Sequence, residues 1–143
     1  MIKVFTNCSI FNGETFVGNR AVVTEGNKIK KVVHKSNLVG YDNIIDLKGA
    51  LLVPGFIDLQ VNGGGGAFYT QKASVENYKI SNKAHLDFGT TSLLPTLVST
   101  SLDNIVAQCD VVREMMKDPD SGVIGIHVEG PFFNPEKKGA HSL

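Results

Sequence analysis

From Phe56 onward the chain alternates between two hydrophobic periods, and this alternation limits the fold more than any other feature. Three segments read as strands: "FIDLQV" (56–61), "TTSLLPTLVS" (90–99) and "GVIGIHV" (122–128). Two helical segments separate them. The first runs from Ser74, a good N-cap, to about Phe88; Ile80, Ala84 and Phe88 recur every four residues and Gly89 stops it. The second runs from about Leu102 to Lys117, capped by Thr100 or Ser101, with Leu102, Ile105, Val106, Cys109, Val112 and Met116 on one stripe. Strands alternating with helices predict right-handed βαβ units and a parallel sheet. The nearly unbroken apolar run of the third strand suits a strand buried on both faces.

Residues before Gly55 follow another regime, expected to be short antiparallel strands. "KVFTNCSIF" (3–11) reads as one strand ending at the Asn12-Gly13 turn pair. "AVVTEGNKIKKVVH" (21–34) reads as strand, turn at Glu25-Gly26-Asn27, and strand. "NIIDLKGALLVPG" (43–55) adds a further strand before the Pro54-Gly55 break. The expected division is therefore 1–54 and 55–143.

Composition excludes several functions. Lys+Arg and Asp+Glu number 14 each, whereas a nucleic-acid binder would carry a basic excess. No apolar run approaches the ~20 residues of a membrane span, and the start, Met1-Ile2-Lys3-Val4-Phe5, lacks the form of a signal peptide. Cys8 and Cys109 are too few for a disulfide framework. Reduced thiols and a cytoplasmic location are expected.

Functional side chains of α/β folds gather at the carboxyl ends of the strands. Gln60 and Asn62 lie there on one side of the first strand, with Asp58 two residues earlier. Two neutral amides can hold a water or a substrate carbonyl, but they are weak ligands for Zn²⁺. Gly63 to Gly66 form a sharp turn, without the Lys-Ser/Thr pair of a P-loop. His127 and Glu129 share a face of the third strand. A carboxylate at the exit of an apolar strand is costly without a partner or metal; Lys137 or Lys138 would serve as an ion-pair partner, and His127 as a core histidine or a ligand. His141 lies on the following loop and can face the same pocket.

These residues carry a resemblance. "DLKGALLVPGFIDLQVNG" (46–63) resembles the first-barrel-strand signature of the amidohydrolase superfamily. "TTSLLPTLVST" (90–100) and "GIHVEGPFFNPEKKGAHS" (125–142) resemble its N-acetylglucosamine-6-phosphate deacetylase branch. The resemblance implies an α/β fold: the N-terminal part of a metal-dependent (β/α)8 TIM barrel, preceded by a small β-sandwich subdomain and truncated after the third barrel strand. Such a barrel takes about 250 residues. It implies that Glu129 is a metal ligand, that Ala140 and His141 bind the sugar, and that Gln60 and Asn62 are the remnant of a second metal site. One divalent metal per site, zinc, is implied. The catalytic aspartate and two further metal-binding histidines are implied to lie beyond Leu143, and the family implies a homodimer. The implied reaction hydrolyses the N-acetyl group of N-acetylglucosamine 6-phosphate, an amino-sugar phosphate, in amino-sugar catabolism, with this chain alone inactive. The alternatives are another metal-dependent amidohydrolase, dihydroorotase-like or deaminase-like, and a non-catalytic fragment.

Overall fold

The computed structural model describes residues 1–141, so Ser142, at the end of the last quoted motif, lies outside the described residues. The chain divides into two compact units, Met1–Pro54 and Gly55–Leu143.

In the first unit, β1 (Ile2–Thr6) pairs antiparallel with β4 (Arg20–Glu25), and β4 pairs antiparallel with β5 (Lys28–His34). A smaller sheet joins β2 (Ser9–Phe11) to β3 (Phe16–Val17). The expectation of antiparallel strands holds only for these pairs. The 43–55 segment splits into β6 (Ile44–Asp46) and β7 (Leu51–Leu52), which pair parallel with β1 and β2 respectively. The single strand expected over 3–11 also breaks in two.

A corner causes both breaks. Asn7 (φ 54°) and Lys48 (φ 53°) adopt left-handed backbone, which ends a strand and turns the chain out of its sheet. Asp46 ties the corner: one carboxylate oxygen accepts from Asn7 Nδ2 and from the Lys48 amide, both at 2.7 Å. These bonds hold the Asp46 carboxyl below its ordinary range, the Lys48 amide contributing most. Each β1–β6 pair thus continues as the β2–β7 pair in the other sheet. Both faces of β4 are covered in consequence: Ala21 and Val23 pack with Val4, and Val22 packs with Cys8 and Ile10. Burial pushes the Cys8 thiol up, and both cysteines are free thiols.

In the second unit, β8 (Phe56–Val61), β11 (Thr90–Leu97) and β12 (His127–Val128) form a parallel sheet in the order β12-β11-β8. A glycine hairpin, β9 (Gly63–Gly64) with β10 (Ala67–Phe68), follows β8. Helix α1 (Val75–Leu86) links β8 to β11, and α2 (Leu102–Met115) links β11 to β12. Ser74 and Ser101 cap them, each accepting from the amide three residues on. The third strand is shorter than the apolar run 122–128 predicts: outside His127–Val128 the run pairs only through the Leu93–Val123 bridge. Among the described residues, no helix is long and apolar enough to cross a membrane.

The helix stripes need correction. On α1 the buried positions are Tyr78, Ser81 and Asn82, whereas Phe88 is 86% exposed. Ile80 and Ala84 lie against Gly65 of the hairpin rather than in the core. On α2 the buried positions are Gln108, Val112 and Met115, while Leu102, Val106 and Met116 are exposed. The reason is a buried polar network that apolar periodicity does not register. Gln108 Oε1 accepts from the Tyr78 hydroxyl at 3.0 Å, and its Nε2 donates to the carbonyls of Tyr69 and Gln71. The Tyr69 hydroxyl donates to Asn82 Oδ1 at 2.6 Å. Around it pack Val61, Leu93, Leu97, Val112, Met115 and Val123. The helices are fixed to the loop after the hairpin, and the hairpin sits at the carboxyl end of β8.

Candidate active site

The carboxyl ends of β8, β11 and β12 bring three predicted side chains together. Glu129 follows β12, where its amide donates to Leu97 O at 2.8 Å and extends the parallel register past the strand. One carboxylate oxygen accepts from Gln60 Nε2 at 3.2 Å. The other lies 3.2 Å from His141 Nε2. Gln60 and Glu129 thus face one space. The ion pair weighed for Glu129 does not form: Lys138 Nζ donates instead to His141 O at 2.8 Å, and Lys137 is exposed. The carboxylate is one-third exposed, 33% of its side chain, and holds two neutral-capable partners rather than a fixed cation.

The remaining predicted residues divide. Asn62 is exposed, and among the described residues its side chain makes no hydrogen bond; its carbonyl accepts from the Tyr69 amide at 3.1 Å. Asp58 turns back on its own strand, accepting from the Gln60 amide at 3.0 Å. His127 sits one step deeper than Glu129, its Nδ1 3.2 Å from Leu59 O; since a carbonyl only accepts, Nδ1 carries the proton. That bond ties β12 to β8 across the sheet. Ala140 is exposed and, with Val98, Ser99 and His141, lines a shallow depression of about 260 Å³.

Two residues at this site were not singled out in the sequence. Ser99 Oγ lies 3.2 Å from His141 Nδ1. Phe133 stacks on the His141 ring, centroids 4.2 Å apart and planes at 30°. Gly130 makes room for both: at φ 99°, an added Cβ would come 2.5 Å from Phe133 Cε2 and 2.8 Å from Ser99 Oγ. Ser99 was legible only as a strand-end hydroxyl, and "GPFFNP" gave no reason to prefer Phe133 to Phe132, which is 88% exposed. The hairpin is anchored from α1, where His85 Nε2 donates to Gly63 O at 2.9 Å.

Residues 4–52 match the NagA composite domain. The N-acetylglucosamine-6-phosphate deacetylase of Haemophilus influenzae is 36% identical over 135 residues, 94% of this chain and 35% of that protein. The N-acetylgalactosamine-6-phosphate deacetylase of Shewanella sp. (strain ANA-3) is 41% identical over 95 residues, 66% of this chain and 24% of that protein. The crystal structure of the Pasteurella multocida N-acetylglucosamine-6-phosphate deacetylase superposes with a TM-score of 0.94 at 33% identity, covering 99% of this chain and 38% of that one. The fold is that of an amidohydrolase-type α/β protein. More narrowly, residues 4–52 match the NagA composite domain, and nearly the whole chain is similar to N-acetylglucosamine-6-phosphate deacetylases. It spans about a third (35%) of the length of the Haemophilus relative.

Proposed function

We propose that this chain forms part of a metal-dependent enzyme that hydrolyses N-acetylglucosamine 6-phosphate to glucosamine 6-phosphate and acetate. The observation that carries the reading is the meeting of Gln60, Glu129 and His141 beyond the carboxyl ends of a parallel sheet. In this reading the first unit contributes strands to a small β-sandwich subdomain. The second contributes the first three strands and two helices of a (β/α)8 barrel that continues in later strands. Zinc as the metal, a homodimer and a cytoplasmic setting complete the reading; they rest on the resemblance and, for the last, on the free thiols.

Glu129 suits a cation in kind: a partly exposed carboxylate without a lysine or arginine partner among the described residues, beside an imidazole. In number it falls short, since no group of three or more His, Cys, Asp or Glu side chains that could hold a metal occurs among the described residues. A bound divalent ion would supply Lewis-acid polarisation of the acetamide and a water acidified towards ~7. Glu129 would hold that ion, and Gln60 Nε2 would fix the orientation of its carboxylate. His141 would donate from Nε2 to an oxygen of the sugar or of the developing tetrahedral centre. Ala140, without a side chain to obstruct, would let the sugar approach the depression beside His141. The 143-residue polypeptide alone is read as inactive, because a catalytic zinc takes about three protein ligands.

A second reading is favoured by the Shewanella relative: the same chemistry on the galactose epimer. Acetate release by the native gene product from both hexosamine 6-phosphates tests the two. Preference for the glucose epimer supports the first reading, preference for the galactose epimer the second, and turnover of neither refutes both.

A further inference from the structure

We propose that Thr70 and Asn104 are positioning residues that clamp residues 98–100, one wall of the depression beside His141, where a hexosamine ring would bind. The proposal rests on the reading of that depression as the sugar site and deepens it by naming what holds its wall.

The wall begins where the sheet ends. The pairing of β8 with β11 stops at Val61 and Pro95, and β11 stops at Leu97. Val98 and Ser99 line the depression on one side, Ala140 and His141 on the other. The first side is therefore backbone beyond the strand, which must find other partners for its polar groups. Thr70 meets its first residue: the Thr70 hydroxyl accepts from the Val98 amide at 3.0 Å. Asn104 meets its last: Asn104 Nδ2 donates to Thr100 Oγ1 at 3.0 Å. The two clamping residues are also tied to each other, because Asn104 Nδ2 donates to the Thr70 carbonyl at 2.8 Å. A carbonyl only accepts, so the nitrogen end of the amide faces it and both Nδ2 protons are in use. Ser99, whose Oγ lies 3.2 Å from His141 Nδ1, is held between these two attachments.

The clamp is fixed to the core. Asn104 and Gln108 stand one turn apart on one face of α2. Between them they take three successive carbonyls: Gln108 Nε2 those of Tyr69 and Gln71, and Asn104 Nδ2 that of Thr70. Gln108 and Tyr69 are buried. The Thr70 hydroxyl thus reaches the end of β11 from a backbone with little freedom. Thr70, Val98 and Asn104 are half-buried, so water does not fully replace a partner that is removed.

The test separates the clamp from the chemistry. Thr70→Val keeps the shape of the side chain and removes its hydroxyl; Thr70→Ser keeps the hydroxyl. Asn104→Asp removes both Nδ2 donors and places a carboxylate in the first turn of α2, where a helix favours one. Amide hydrogen exchange in the native gene product, read at Val98 by fragmentation mass spectrometry, is expected to quicken at least about tenfold in Thr70→Val and to return to the wild-type rate in Thr70→Ser. In steady-state kinetics on N-acetylglucosamine 6-phosphate, Thr70→Val is expected to raise KM about tenfold, the scale of one lost hydrogen bond, with kcat nearly unchanged. Asn104→Asp is expected to move KM the same way, and Thr70→Ser to restore it. Unchanged exchange at Val98 in Thr70→Val overturns the proposal. So does a KM that neither Thr70→Val nor Asn104→Asp raises. Faster exchange in a protein whose wild type turns over no hexosamine 6-phosphate supports the clamp and refutes the substrate reading instead.

Discussion

Gln108 is the residue whose replacement reports most about how the second unit holds together. Its side chain is fully buried, yet it is an amide. Its oxygen accepts from the Tyr78 hydroxyl at 3.0 Å, and its nitrogen donates to the carbonyls of Tyr69 and Gln71. Gln108→Met keeps length and removes every one of these bonds. Each costs about 1 kcal/mol net, and leaving a buried hydroxyl and carbonyl unsatisfied adds to that, for a total of about 2–4 kcal/mol. Tyr78→Phe alone removes one bond and strands the Gln108 oxygen, at about 1–2 kcal/mol. The two groups touch, so the double variant should cost about 1 kcal/mol less than the sum. Urea unfolding followed by near-UV tyrosine circular dichroism measures all three, undisturbed because the chain has no tryptophan. Costs that add to within about 0.3 kcal/mol would refute the claim that this hydrogen bond joins α1 to α2.

Other outcomes follow from the same structure. Gly130→Ala should push Phe133 and Ser99 apart, since the new methyl lies 2.5 Å and 2.8 Å from their atoms; loss of the His141 ring-current shift in ¹H spectra checks it. Burial, aided by Tyr69 and Cys109, pushes the Tyr78 hydroxyl above its ordinary value. The folded state therefore keeps a proton that the unfolded chain releases near pH ~10. Stability is full below that pH and falls above it, by up to about 1.4 kcal/mol per pH unit for this group. Urea midpoints between pH 9 and 11 should drop less in Tyr78→Phe than in wild type. Ser101→Ala removes the cap on the Asn104 amide and should cost about 1 kcal/mol in the same urea assay.

Much of the second unit was legible because its signals are local. Strand β8 falls on 56–61, and both helices begin at the serine caps that the sequence offers. The buried faces were not legible, because Gln108 and Asn82 occupy core positions that a hydrophobic stripe passes over. In the first unit, nothing local marks Asn7 and Lys48 as left-handed; their conformation answers to Asp46, 39 residues away from Asn7. At the site, the alternation of a strand placed Gln60, and the cost of a strand-end carboxylate marked Glu129. Ser99 and Phe133 escaped notice because their contacts exist only once the loop after β12 brings His141 back against both.

Acetate release by the native gene product, with Glu129→Gln beside it, probes the assignment of this site most directly. The amide keeps the size of the carboxylate and a hydrogen-bond acceptor for Gln60, but it lacks the charge that a cation requires. The account predicts turnover of the amino-sugar phosphate in wild type and a fall of at least about a hundredfold in the variant. Undiminished turnover in Glu129→Gln would contradict it.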